Sequence, residues 1–127
     1  MNVVDSSAWL AYFAGNANAE HFALAIEDQD QLLVPAITLI EVFKIIFKQR
    51  GEEPALIAVA HMRTGQVISL DATLAMDAAT LGLRHKLPLV DSIIYATTAK
   101  YRARLWTQGE DFKGLPQVEY FPTDSVI

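Results

Sequence analysis

The chain has 127 residues, which suits one compact domain spanning 1–127, and a 52% apolar composition, which can fill a core of its own. No apolar run approaches the ~20 residues needed to span a bilayer, the opening Met1-Asn2-Val3-Val4-Asp5 has no signal-peptide character, and there is no cysteine, so disulfide and thiolate chemistry are excluded and a reducing cytoplasm is the simplest home. The net charge of −5 argues against a nonspecific nucleic-acid binder, although basic residues gather at Arg84-His85-Lys86 and at Lys100, Arg102 and Arg104.

In chain order, residues 2–4 read as a short strand and 6–14 as a helix. Residues 17–28 read as helical, and 32–34 as a strand closed by Pro35. Helices follow at 38–49, ending near Gly51, and at 53–63, with Pro54 well placed in the first turn. A strand at 67–70, helices at 72–85 and 91–101, and strands at 104–107 and 118–121 complete the pattern. Strands alternating with helices predict an α/β sandwich with a central parallel sheet of about five strands.

The positions of the acids matter more than their number. Asp5 follows the first strand, Glu41 falls near the start of the helix after the second, Asp91 opens a helix, and Asp111 lies just past the strand around Leu105-Trp106-Thr107. In an open parallel sheet, the carboxyl ends of strands and the starts of the following helices share one edge, where ligands bind. Two carboxylates ~4 Å apart repel by ~4 kcal/mol at an effective dielectric of ~20. Such a group is therefore partly protonated or holds a cation. Oxygen donors without His or Cys suit magnesium or manganese, which can activate water and neutralise a phosphoryl oxygen. Each acid also has a structural explanation. Asp5 and Asp91 can cap helices, and Thr38-Leu39-Ile40-Glu41 has the form of a capping box. Three acids at helix starts on one predicted edge are poorly explained by capping alone.

The segment Val3-Val4-Asp5-Ser6-Ser7-Ala8-Trp9-Leu10 resembles the opening of PIN-domain toxins of the VapC family. Ile40-Glu41-Val42, the run from Leu87 through Asp91 to Thr97, and Leu105-Trp106-Thr107-Gln108-Gly109-Glu110-Asp111-Phe112 are similar to the family's later acidic motifs, in the same order and over nearly the whole chain. The resemblance implies a PIN fold, a Rossmann-like α/β/α sandwich, with magnesium- or manganese-dependent endoribonuclease activity. It also implies a homodimer and a small antitoxin that blocks the site. It assigns Asp5, Glu41 and Asp91 as catalytic, metal-holding acids with Asp111 as the fourth, and Thr107 with Ser6 or Ser7 as supporting hydroxyls. Many relatives carry an Asp where this chain has Gly109. That departure implies one metal in place of two, or weak activity, and predicts that Gly109→Asp gains metal affinity or rate.

Arg84, Lys86 and Arg102 are expected to hold RNA phosphates, against the alternative that they are ordinary solvated helix ends. Residues 37–47 are apolar on more than one face, which suits a buried helix or one that also meets the antitoxin through Phe43 and Phe47. His21, His61 and His85 lack metal-ligand spacing, and Trp9 and Trp106 read as packing residues. A receiver domain would need paired acids after the first strand, and an Asp-nucleophile phosphatase a second Asp two residues after the first, where Ser7 stands. A catalytically silent PIN-fold binding module is the remaining alternative, and Gly109 is the residue that favours it.

Overall fold

A computed structural model describes residues 1–123 of the chain. The elements are β1 (Asn2–Val4), α1 (Ser6–Ala14), α2 (Ala19–Ile26), β2 (Leu32–Pro35), α3 (Ala36–Arg50), α4 (Glu52–Met62), β3 (Gln66–Ile68), α5 (Ala72–His85), α6 (Leu89–Lys100), β4 (Arg104–Thr107) and β5 (Val118–Tyr120). The five strands form one wholly parallel sheet in the order β3-β2-β1-β4-β5.

Strand alternation separates two cores. Val4, Leu32 and Val34 face one way and pack with Trp9, Phe22, Val42 and Met62, so α1 to α4 cover that face. Val3, Leu33 and Leu105 face the other way, onto Leu74, Ile94 and Phe112, beneath α5 and α6. Successive side chains of a strand point to opposite faces, so a two-residue step such as Val3-Val4 serves both layers. The α/β/α sandwich expected from the alternation is the one observed. Among the described residues no helix is long and apolar enough to cross a membrane.

The chain moves outward from β1 to β2 to β3, returns across the opposite face through α5 and α6, and then adds β4 on the other side of β1. The switch in direction falls between β1 and β4, the crevice where parallel sheets bind ligands.

Element edges differ from the sequence reading at a few places, each with a local cause. Helix α3 starts at Ala36, directly after Pro35, and Thr38 donates its hydroxyl to the Pro35 carbonyl at 2.7 Å. The predicted capping box therefore does not form, and Glu41 sits in the second turn of the helix. Strand β3 ends at Ile68 because the chain turns into α5, where Asp71 accepts the Leu74 N–H at 2.8 Å. Helix α6 begins at Leu89 after Pro88, so Asp91 lies inside its first turn and is not its cap.

The pairing of α5 with α6 depends on Gly82. A Cβ built there would lie 2.3 Å from Ser92 Oγ and 3.0 Å from Ser92 Cβ. That hydroxyl is held by the Pro88 carbonyl at 2.9 Å, so it cannot swing aside without losing a bond. Alanine is better than glycine in a helix by roughly 1 kcal/mol, but overpacking costs about 1–3 kcal/mol. Gly82→Ala is therefore expected to lower the denaturant midpoint despite its helix propensity. Adding Ser92→Ala should recover part of the loss, and an increase in stability from Gly82→Ala alone would contradict the close approach.

Candidate active site

Asp5 stands where β1 becomes α1, 4% exposed, at the switch point. Its backbone N–H reaches the Trp106 carbonyl at 3.2 Å, which ties the end of β1 to the end of β4. Its Oδ1 accepts from Ser7 Oγ at 2.8 Å and from the Ala8 N–H at 3.0 Å, the latter being the helix cap. Its Oδ2 accepts from Thr107 Oγ1 at 2.7 Å, and that hydroxyl accepts in turn from the Gly109 N–H at 2.8 Å. Asp5 is both a cap and a buried carboxylate aimed across the switch point. Burial raises its pKa, hydrogen bonds from Thr107, Ala8 and Ser7 oppose that rise, and Glu41 adds to it.

Asp5, Ser6, Glu41, Asp91 and Gly109 line one cavity of about 260 Å³, with Ile94 and Phe112 among its apolar walls. Ser6 donates its hydroxyl to Glu41, so the two serines after Asp5 divide the work: Ser6 holds Glu41 and Ser7 holds Asp5. Asp91, half-buried on α6, has its pKa pushed up to about 7, first by burial, then by the charge of Asp5, by hydrogen bonding and charge from Asp111, and by Glu41. Asp111 lies in the short 3-10 turn Glu110–Phe112, exposed at the rim and in contact with Asp91. The structure thus brings Asp5, Glu41 and Asp91 to one cavity, with Asp111 outside it beside Asp91 and with Thr107 and both serines behind the acids.

The predicted basic residues divide. Arg84 and Lys86 are exposed at the end of α5, in the connection leading to the first turn of α6 and so toward Asp91. Arg102 precedes β4, whose Arg104 pairs in register with Asn2, so it lies at the opposite edge of the sheet from the acids. Arg104 is engaged with Glu119 there. Arg102 is therefore not brought to the site. Trp9 is fully buried, and Trp106 donates to Asn2 Oδ1 at 2.9 Å, as packing residues would.

The sequence reading missed a second feature beside the acids. An apolar groove of about 700 Å³ runs between α1, α3 and α4, lined by Leu10, Phe13, Ile46, Ile57 and His61 among others. Ser7, Leu10 and Ile45 line both the groove and the acidic cavity, so the two are continuous. From α3 the groove takes Ile45, Ile46, Gln49 and Arg50, whereas Phe43 packs toward the core and neither it nor Phe47 lines the groove. Helical periodicity marked α3 as broadly apolar; its relation to α1 and α4 is a tertiary fact with no signal in one helix.

An oxygen-only donor set with unrelieved repulsion suits a hard divalent cation. Among the described residues no three His, Cys, Asp or Glu side chains close on a common point. Magnesium does not require that, since it commonly keeps several waters and takes one or two carboxylates. The residues present fit such an ion.

The sequence model of the PIN domain matches residues 3–117. The chain belongs to the PIN domain family. Among solved structures, it is similar to a chain of a toxin–antitoxin complex from Klebsiella pneumoniae, with 27% identity and a TM-score of 0.78 over 94% of this chain and 96% of that one. It shares the fold of VapC20 from Mycobacterium tuberculosis, described as a sarcin-ricin loop cleaving toxin, at 19% identity and TM-score 0.70 over 89% and 92% of the two chains. It also shares the fold of a chain of VapBC2 from Rickettsia felis bound to promoter DNA, at 14% identity and TM-score 0.73 over 94% and 97%. No curated protein matches the chain.

Proposed function

We propose that this protein is a magnesium- or manganese-dependent endoribonuclease, the toxin of a toxin–antitoxin pair acting in the cytoplasm. The observation that carries this reading is the gathering of Asp5, Glu41 and Asp91 around one cavity at the sheet's switch point, with Asp111 at its rim. Capping alone does not account for a carboxyl pushed up to about 7 by burial and then by the charges of its neighbours. The likeness to a toxin–antitoxin chain over nearly the full length supports the same class.

Asp5, Glu41 and Asp91 would hold the ion. When bound, a divalent ion supplies an activated water and charge neutralisation at the phosphoryl group. Thr107 is a positioning residue: its hydroxyl fixes Asp5 Oδ2, and the Gly109 N–H fixes Thr107. Ser6 orients Glu41. Arg84 and Lys86, exposed at the end of α5, would take flanking phosphates of the RNA.

The groove is proposed as the antitoxin's seat. An apolar helix lying in it would lead toward the acids, because the groove and the cavity share Ser7, Leu10 and Ile45. A homodimer has a separate candidate face on α5 and the start of α6, where Met76, Leu83 and Leu89 are 71%, 84% and 78% exposed.

The test of the enzyme reading is cleavage of a panel of structured RNAs with added manganese. Wild-type protein is expected to cut at least one, and Asp5→Asn to abolish the cut while keeping the fold, because asparagine can still cap α1. Absence of cleavage under every metal condition would favour the silent binding module instead.

A further inference from the structure

We infer that Asn18 is a positioning residue of this site: its side-chain amide braces the turn at 107–109 that holds Asp5, and so governs the rate of cleavage without touching the acids. The effect on rate rests on the nuclease reading; the brace itself does not.

Asn18 stands at the N-cap of α2, where an asparagine side chain ordinarily accepts a bond from the helix's own N–H groups, yet it makes no such bond. Its side-chain nitrogen instead donates to Gln108 Oε1 at 3.2 Å, to the Phe121 carbonyl at 3.3 Å and to the Pro122 carbonyl at 3.1 Å. The two backbone carbonyls can only accept, so the amide nitrogen is the atom that must face them. These partners lie between 90 and 104 residues away in the chain. One short side chain therefore ties the start of α2 to the segment after β4 and to the segment after β5.

The segment after β4 is the turn behind Asp5. Thr107 Oγ1 donates to Asp5 Oδ2 at 2.7 Å and accepts from the Gly109 N–H at 2.8 Å, with Gln108 between the two residues. The Thr107 carbonyl accepts from the Phe121 N–H at 2.9 Å, so the segment after β5 holds the same turn through its backbone. That segment is itself anchored. The Phe121 ring stacks on His21 of α2, 4.4 Å between centroids and 11° between planes, and on Trp106 of β4, 6.0 Å and 17°. Asn18 closes the circuit between these parts. Without its amide, Gln108 loses this bond to α2 and the Gly109 peptide is freer to turn away from Thr107 Oγ1. The hydroxyl that fixes Asp5 Oδ2 then loses its own orientation. Displacing a reacting group by even about 1 Å can cost on the order of a hundredfold in rate, with no contact to substrate removed.

Amide hydrogen exchange and cleavage kinetics of the full chain, with Asn18→Ala and Asn18→Asp, test this. Alanine removes the amide but no cap, since none is made; aspartate keeps the shape and can cap α2 but has no N–H to donate. In both variants the Gly109 and Phe121 amides are expected to exchange about tenfold faster, while amides of β1 and β2 keep their wild-type rates. At saturating manganese, kcat on RNA should fall about tenfold, with KM within about twofold of wild type. Gln108→Ala should lose activity in the same way. The Asn18→Ala/Gln108→Ala double variant should lose less than the product of the two single losses, because both break one link. Unchanged exchange at Gly109 overturns the brace. If the wild type cuts RNA, an unchanged kcat in both Asn18 variants, or a loss carried wholly by KM, overturns the positioning role. A wild type that cuts no RNA removes the nuclease reading and the effect on rate with it, while exchange still decides whether the brace exists.

Discussion

Asp91→Asn is expected to lower RNA cleavage by about three orders of magnitude and, in the metal-free protein, to raise the melting temperature near neutral pH. The two effects have one cause. Asp91 is held against Asp5, Glu41 and Asp111, and burial together with their charges pushes its pKa up to about 7. In the unfolded chain the same group titrates near ~3.9. Between those values the folded state keeps a proton that the unfolded state has released. Stability therefore falls as pH rises through that window, and it levels off above the folded value. Below the unfolded value both states are protonated and nothing is lost. The raised pKa of Asp5 acts in the same direction. Thermal melts of metal-free protein across that range should show the decline in wild type and a shallower one in Asp91→Asn. Manganese competes with the retained proton, so it should raise the wild-type melting temperature more at about pH 8 than at about pH 5. Equal melting temperatures for wild type and variant across the range would mean that the acids do not repel one another as described.

That coupling separates Asp5 from an ordinary cap. Asp71 caps α5 with a similar bond, 2.8 Å to the Leu74 N–H, and is exposed. Asp5 caps α1 and is also buried at the junction of β1 and β4. From sequence the two look alike, because each precedes a helix. What distinguished Asp5 was its place after the first strand of a parallel sheet, which fixes the edge it occupies. Glu41 was singled out for its place at the start of the helix after the second strand, with a capping box as the competing structural explanation. Helix α3 begins two residues earlier, after Pro35, so the box does not form and Glu41 meets Ser6, 35 residues away in the chain. The sheet edge was legible; the bond was not, because it joins two helices whose relative placement no local pattern records. Arg102 shows the opposite failure. It lies close to Thr107 in sequence, yet β4 runs the height of the sheet between them and puts them on opposite edges.

The groove was illegible for the same reason as the Ser6–Glu41 bond, and it leads to the second large expected effect. Ile57→Glu on α4 should weaken binding of the cognate antitoxin by about a hundredfold or more while leaving RNA cleavage by the free protein unchanged. Ile57 lines the groove, is 64% exposed and does not line the acidic cavity, so a charge there neither breaks the core nor enters the site. The partner pays the cost, since an apolar helix packed over the position would bury an unpaired carboxylate. Phe47→Glu is the control: it is 46% exposed, it introduces the same charge, and it lies off the groove. Isothermal titration with the antitoxin should therefore show a large loss for Ile57→Glu and a small one for Phe47→Glu. The reverse order would place the antitoxin on the outer face of α3, and the continuity between groove and acids would then have no part in inhibition.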